Sequence, residues 1–199
     1  MSTGLEARPD DADARLVGVL RLLNALIGIR LRSVSDPESR RHLIWLNDII
    51  AAVGLLSQRL ASGRLTDFTV YLQSAADFWR RTATDREITL EAPAQPVSLS
   101  NLSAACLAIV AHELLGAAIA RVARPGGGQI SVRLHDDAEG IRLTVEDDGA
   151  AENTAAAEES LDLVRGMAEH LGGAVEVTAN GRRTVTIRLA PDRRVTHRH

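Results

Sequence analysis

Two short segments of the chain carry residue types that could do acid–base or ligand-binding chemistry. Glu113, next to His112, lies in an apolar run from 109 to 121 whose spacing predicts an amphipathic helix. Asp147 and Gly149 follow an alternating segment that predicts a strand. Asp-Gly alone is common in turns. These residues are therefore candidates for a functional site only because they follow a predicted strand and lie downstream of the Glu113 helix.

Composition excludes several classes of protein and site. The 23 Lys and Arg residues nearly balance the 26 Asp and Glu residues, so no global field favours nucleic acid. A single cysteine, Cys106, excludes an internal disulfide and a cysteine metal cluster. The remaining histidines show no metal-ligand spacing, so no metal site is expected. The apolar run 16–29 is too short to span a bilayer and is interrupted by Arg21, so we expect a cytoplasmic protein without membrane insertion.

The N-terminal half is predicted to be helical. Residues 1–11 are polar and are expected to form a flexible tail. A helix from about 13 to 34 carries two adjacent apolar stripes. A second helix is predicted from Pro37 to about 62, with Ser35 or Asp36 as its N-cap. Two helices joined by a short turn form an antiparallel hairpin. Because one hairpin cannot bury both stripes, we expect a second copy to complete a dimeric four-helix bundle.

The C-terminal half changes to alternating periodicity. The predicted elements are a third helix at 67–82, a strand at 88–90, a helix to about 123, a hairpin of 129–134 with 141–145, a helix at 160–171 and a hairpin of 174–178 with 184–189. This order predicts an antiparallel sheet backed by helices, an α/β sandwich, in a chain of the α+β class. The expected domains are a helical dimerisation or phosphotransfer-like domain at 12–84 and the sandwich at 85–191, with a tail at 192–199.

The order of these elements and several motifs resemble those of sensor histidine kinases. Three runs match the N, G1 and G2 boxes of the GHKL ATPases in order and spacing: 109–121, 145–149 and 160–173. Asp36-Pro37-Glu38 and Val70-Tyr71-Leu72 are similar to segments of the HWE/HisKA_2 type of histidine kinase. The resemblance spans about residues 14–189 and implies a dimerisation hairpin followed by a GHKL ATPase-like domain.

The resemblance also implies which parts of the ATP chemistry are missing. The helix position that binds magnesium in the family is Ala117 here, and a methyl group offers no lone pair to a metal. Glu159 and Ser160 stand where the second glycine box has glycines, and a carboxylate repels a triphosphate. ATP and magnesium binding is therefore expected to be lost or weak, so no cofactor is expected. In the family the aspartate of the G1 box accepts the adenine amino proton, a capacity that Asp147 or Asp148 keeps here, and the box glycines let the backbone approach the phosphates. The retained residues form a vestigial nucleotide site: Glu113, Asp147 and Gly149.

The phosphoacceptor is the second loss that the resemblance implies. The family carries a histidine early in the first helix, whereas this chain has no histidine between residues 1 and 41. His42, beside Arg40 and Arg41, is the candidate replacement, although a solvated histidine at a helix start is the commoner case. His112 is expected to fill the vestigial nucleotide pocket rather than to keep an acid–base role.

These losses rank three functional hypotheses. The favoured one is a bacterial two-component-type signalling protein, a histidine-kinase-like homodimer without catalytic ATP use that binds a response-regulator receiver domain. The first alternative is a histidine phosphotransferase that relays phosphate to and from receiver domains through His42. The second alternative is an atypical ATP-dependent histidine kinase.

Overall fold

The computed structural model describes residues 9–57, 65–84, 86–122, 128–149 and 155–190. In chain order its elements are α1 (Pro9–Leu31), α2 (Pro37–Ser57), β1 (Leu65–Asp67), α3 (Phe68–Thr82), β2 (Glu87–Glu91), β3 (Ser98–Ser100), α4 (Asn101–Arg121), β4 (Gln129–Asp137), β5 (Gly140–Asp147), α5 (Ala155–His170), β6 (Ala174–Ala179) and β7 (Arg183–Leu189). The predicted tail at 192–199 and the predicted helix ends at 58–62 and 123 lie outside the described residues.

The helices α1 and α2 form the predicted hairpin. Asp36 caps α2, since its carboxylate accepts a hydrogen bond from the backbone N–H of Ser39 at 2.7 Å. Arg40 closes the turn by donating to the carbonyl oxygen of Leu31 at 2.8 Å. α1 begins at Pro9, inside the segment expected to be a tail, because proline at the first helical position followed by acidic residues favours a helix start.

The hairpin leaves large apolar side chains uncovered. Eight of them are 39–59% exposed: Val19, Leu22, Leu23, Leu26, Ile29, Ile44, Trp45 and Leu46. The five on α1 recur at spacings of three and four residues, so they share one face of that helix. Within the described part of the chain, this face of α1 is therefore left largely uncovered.

The helix α3 links the hairpin to the sheet. Asp67 caps it by accepting a hydrogen bond from the backbone N–H of Thr69 at 3.0 Å. Phe68 and Tyr71 are buried, and their rings stack with centroids 5.2 Å apart. Beside α3, the short strands β1 and β3 pair antiparallel, a two-stranded sheet that the sequence pattern does not predict.

The main sheet has five strands in the order β2-β4-β5-β7-β6. Its hairpins β4–β5 and β6–β7 are antiparallel as predicted. The expectation of a wholly antiparallel sheet is wrong at one edge, where β2 runs parallel to β4. The reason is that α4 carries the chain across the sheet between these two strands, and such a crossover returns the chain in the same direction.

The core lies between this sheet and the helices α4 and α5. Ten residues of α4 are buried, Glu113 among them. Among the described residues, α4 alone is long and apolar enough to cross a membrane. Its packing inside the fold accounts for that apolar character.

Candidate functional site

A buried ion pair lies where the end of β5 meets the end of α4. Arg121 donates to Asp147 from Nη2 to Oδ2 at 2.5 Å and from Nε to both carboxylate oxygens at 3.2 Å. The two side chains are 8% and 1% exposed. The backbone N–H of Gly149 donates to Oδ1 of Asp147 at 3.1 Å. Since a carboxylate offers about four acceptor sites, groups of the protein itself fill those of Asp147.

Gly149 is required by the close approach of α4 to the end of β5. A Cβ atom at this position would lie 2.6 Å from the Cβ of Arg121 and 2.9 Å from its carbonyl oxygen. Close-packed interiors leave no room for such a contact. The glycine that the resemblance assigns to the approach of phosphate therefore serves helix packing in this chain.

A second arginine lies beside the ion pair. Arg183 is the register partner of Asp147 on β7. Burial, followed by the positive charge of Arg121, lowers the pKa of the Arg183 guanidinium below its ordinary value, while Asp147 opposes the shift. Arg121 and Arg183 thus both lie near the Asp147 carboxylate, which the resemblance assigns to the nucleotide base.

Glu113 joins three helices. Its Oε1 accepts a hydrogen bond from the indole N–H of Trp45 on α2 at 2.5 Å, and its Oε2 accepts one from the hydroxyl of Ser160 on α5 at 3.1 Å. Burial raises the pKa of the Glu113 carboxyl, and the two hydrogen bonds oppose that rise. The carboxylate therefore holds the hairpin against the sandwich.

A cavity of about 380 Å³ opens next to Glu113. The described residues that line it come from three helices: Arg41, His42 and Trp45 of α2, Glu113 of α4, and Glu159, Ser160 and Leu163 of α5. The side chain of His42 is 54% exposed, and its Nε2 lies 4.0 Å from Oε1 of Glu38. The fold thus brings together two sequence candidates, His42 and Glu113, that are far apart in the chain.

His112 does not lie at the Asp147 carboxylate. Its ring lies 5.0 Å from that of Trp79, and it lines a different cavity with residues of α1, α2 and α3. Burial lowers the pKa of the imidazole, and the charge of Asp48 opposes the shift. The expectation that His112 fills the vestigial nucleotide pocket is therefore wrong, because Arg121 takes the place beside Asp147.

The candidate residues consequently form two groups, each of which includes one residue of α4. Glu113 and Arg121 are separated by eight positions along α4, which corresponds to about 12 Å of helix axis. His42 and Glu113 belong to the cavity, and Asp147 and Gly149 belong to the ion pair. In the described part of the chain, no three His, Cys, Asp or Glu side chains are clustered to hold a metal ion.

Sequence reasoning missed two residues of these groups. Arg121 ends a helix 26 residues before Asp147, and no local pattern pairs the two. Trp45 lies in the predicted bundle helix, yet its indole N–H reaches Glu113 in the other half of the chain. A polar-tipped aromatic residue at an otherwise aliphatic position was the one available signal for Trp45.

Comparison with known proteins gives a result for structure and none for sequence. No family model matches the chain, and no curated protein matches it. The histidine kinase domain of the EL346 blue-light activated histidine kinase from Erythrobacter litoralis has a TM-score of 0.62 at 19% identity, over 85% of this chain and 95% of that domain. A longer structure of the same kinase gives a TM-score of 0.70 at 19% identity over 98% of this chain.

This chain covers 64% of that longer structure. The Acinetobacter baumannii histidine kinase AdeS is more distant, with a TM-score of 0.54 at 14% identity over 87% of this chain and 97% of that one. These likenesses confirm the kinase-like fold that the resemblance to the HWE/HisKA_2 type predicted. The chain therefore has the fold of a histidine kinase domain.

Proposed function

We propose that this chain is a two-component-type signalling protein that acts as a histidine-kinase-like homodimer, binds a receiver domain, and does not use ATP catalytically. The observation that carries the proposal is the buried Arg121–Asp147 pair. In the kinases that the chain resembles, the aspartate at this position accepts the adenine amino proton. In this chain the guanidinium of Arg121 donates hydrogen bonds to that carboxylate instead.

The energetic consequence for nucleotide binding is large. A base would have to displace Arg121 to reach Asp147, and breaking a buried ion pair by removing one partner costs about 3–5 kcal/mol. That energy corresponds to about two to four orders of magnitude in affinity. Nucleotide binding at cellular concentrations would then be weak even if the rest of the site were intact.

The phosphate end of the site also departs from what a magnesium–nucleotide complex needs. The methyl side chain of Ala117 offers no oxygen to the metal, which prefers oxygen ligands. Both oxygens of Glu113 already accept hydrogen bonds from the protein. The Glu159 carboxylate lines the adjoining cavity and would repel a polyphosphate.

Dimerisation is supported by the uncovered face of α1. Side chains such as Leu22 and Leu26 are 59% and 51% exposed. Exposure of an apolar face to water is unfavourable in a monomer, so such a face indicates an interaction surface. Pairing two hairpins would bury these side chains in a four-helix bundle. A receiver domain would then dock on the bundle, where Arg21, Arg30 and Arg32 are exposed and could face the acidic pocket of a receiver. The proposed location is the cytoplasm.

The test is binding to purified receiver domains, with and without ATP and magnesium. We expect at least one stoichiometric complex whose affinity does not change with nucleotide. Arg32→Glu, away from the apolar face of α1, should weaken it by about tenfold through charge reversal, whereas the matched Arg165→Glu on α5 should not. Absence of binding to every receiver domain of the source organism would refute the proposal.

A second candidate function is histidine phosphotransfer, favoured by the position of His42. The ring is half exposed, and the Glu38 carboxylate 4.0 Å from Nε2 could orient it. In this reaction the phosphoryl group would leave the aspartyl phosphate of a receiver domain and bond to a nitrogen of His42, without ATP. Acid-labile phosphate that disappears in His42→Ala but persists in His170→Ala would establish it. Wild-type protein that takes up no phosphate from a phosphorylated receiver would exclude it.

A further inference from the structure

The cavity beside Glu113 has features of a small-molecule site. Its volume of about 380 Å³ lies within the range of small-ligand pockets. Three helices from both halves of the chain form its walls. Part of the polar lining is fixed in place, since Glu113 is held by Trp45 and Ser160.

Two side chains of opposite charge line this cavity. Arg41 and Glu159 both line it, and neither forms an ion pair or a hydrogen bond with another described residue. Arg41 offers a forked donor suited to a carboxylate, and Glu159 offers two acceptor oxygens. The site is therefore complementary to a ligand that carries both charges.

Besides these polar groups and His42, the described lining consists of Trp45 and Leu163. Trp45 presents its ring and Leu163 its aliphatic side chain to the same space. Small-ligand sites combine such apolar walls with a few convergent polar groups. A phosphorylated ligand fits poorly, because the carboxylates of Glu113 and Glu159 would oppose its negative charge.

We propose that this cavity binds an apolar α-amino acid. Arg41 takes the carboxylate of the ligand, Glu159 takes its ammonium group, and Trp45 and Leu163 contact its side chain. The inference does not depend on receiver binding or on the loss of ATP use, and it assigns the cavity to a ligand of a different class from a nucleotide.

Isothermal titration calorimetry of the full chain tests the inference. L-leucine and L-phenylalanine are titrated separately, and at least one should bind saturably with a Kd below about 1 mM. Phenethylamine, which lacks the carboxylate, and N-acetyl-phenylalanine, which lacks the ammonium, should each bind at least about tenfold more weakly than phenylalanine. No saturable binding of either amino acid overturns the inference, and so does equal binding of the analogues.

Matched variants separate the site from a general effect of charge. Arg41→Gln and Glu159→Gln should each weaken amino-acid binding by about tenfold. Glu158→Gln removes the same charge one residue away, on a side chain that is absent from the described lining, and should leave the affinity unchanged. Equal loss in Glu158→Gln and Glu159→Gln would overturn the assignment, with the folded state of each variant checked by circular dichroism.

Discussion

Arg121→Met removes the guanidinium from the buried ion pair while keeping most of the apolar stem of the side chain. Asp147 is 1% exposed and, among the described residues, would keep the hydrogen bond from the backbone of Gly149 and the weaker electrostatic attraction of Arg183. Leaving such a charge without its partner costs about 3–5 kcal/mol. We expect Arg121→Met to lower the free energy of unfolding by that amount.

The matched control is Arg165→Met, which removes an exposed partner of Asp162 on α5. Those two side chains are 48% and 73% exposed, so the change should cost at most about 1 kcal/mol. Urea unfolding followed by far-UV circular dichroism measures both values. All variants are compared at one protein concentration, because dimerisation would add to the apparent stability.

A double variant separates loss of the pair from loss of packing. Arg121→Met combined with Asp147→Leu removes both charges, so it should be more stable than Arg121→Met alone. If Arg121→Met costs no more than Arg165→Met, the Arg121–Asp147 pair does not contribute the stability expected of a buried ion pair. The proposal that this pair weakens nucleotide binding would then lose its basis.

Three other perturbations have directions fixed by the structure. Burial holds the pKa of Glu113 above its ordinary value of 4.5, so the native state releases this proton later than the unfolded state and ionisation destabilises the fold. The stability of wild type relative to Glu113→Gln should therefore fall as pH rises from about 4.5 to 7, as measured by urea unfolding across that range. Gly149→Ala should cost about 1–3 kcal/mol through overpacking, whereas Gly166→Ala, which meets nothing within 4 Å, should stabilise by about 0.5–1 kcal/mol in the same assay. Leu26→Glu should convert the proposed dimer to a monomer in light scattering, while Leu102→Glu, which is even more exposed but lies on α4, should leave it intact.

Three results would contradict the roles given to Glu113, Gly149 and Leu26. A stability difference that rises with pH would reverse the sign assigned to Glu113. Equal effects of Gly149→Ala and Gly166→Ala would remove the steric role of the first glycine. A Leu26→Glu variant that keeps its mass in solution would place the dimer contact elsewhere or exclude it.

Local features of the fold could be predicted because their causes are local. The Asp36-Pro37 pair sets the start of α2, since capping and the fixed φ of proline act within one turn. The strands β4 and β5 follow from alternation along the chain. The parallel edge strand could not be predicted, because pairing of β2 with β4 depends on how α4 crosses the sheet.

The site was less predictable for the same physical reason. The candidates Glu113, Asp147 and Gly149 could be chosen from box order, but their surroundings depend on contacts across the fold. Arg121 reaches Asp147 because two elements end at the same place. Sequence alone places Ala117 at the position where the family has its metal ligand, but it does not identify Arg121 as the residue that pairs with Asp147.

Titrating a fluorescent ATP analogue with magnesium into micromolar wild-type protein tests the claim that Arg121 occupies the acceptor that a nucleotide base would need. The predicted result is no saturable signal up to about 1 mM nucleotide. Saturable, magnesium-dependent binding with a micromolar Kd would contradict the claim.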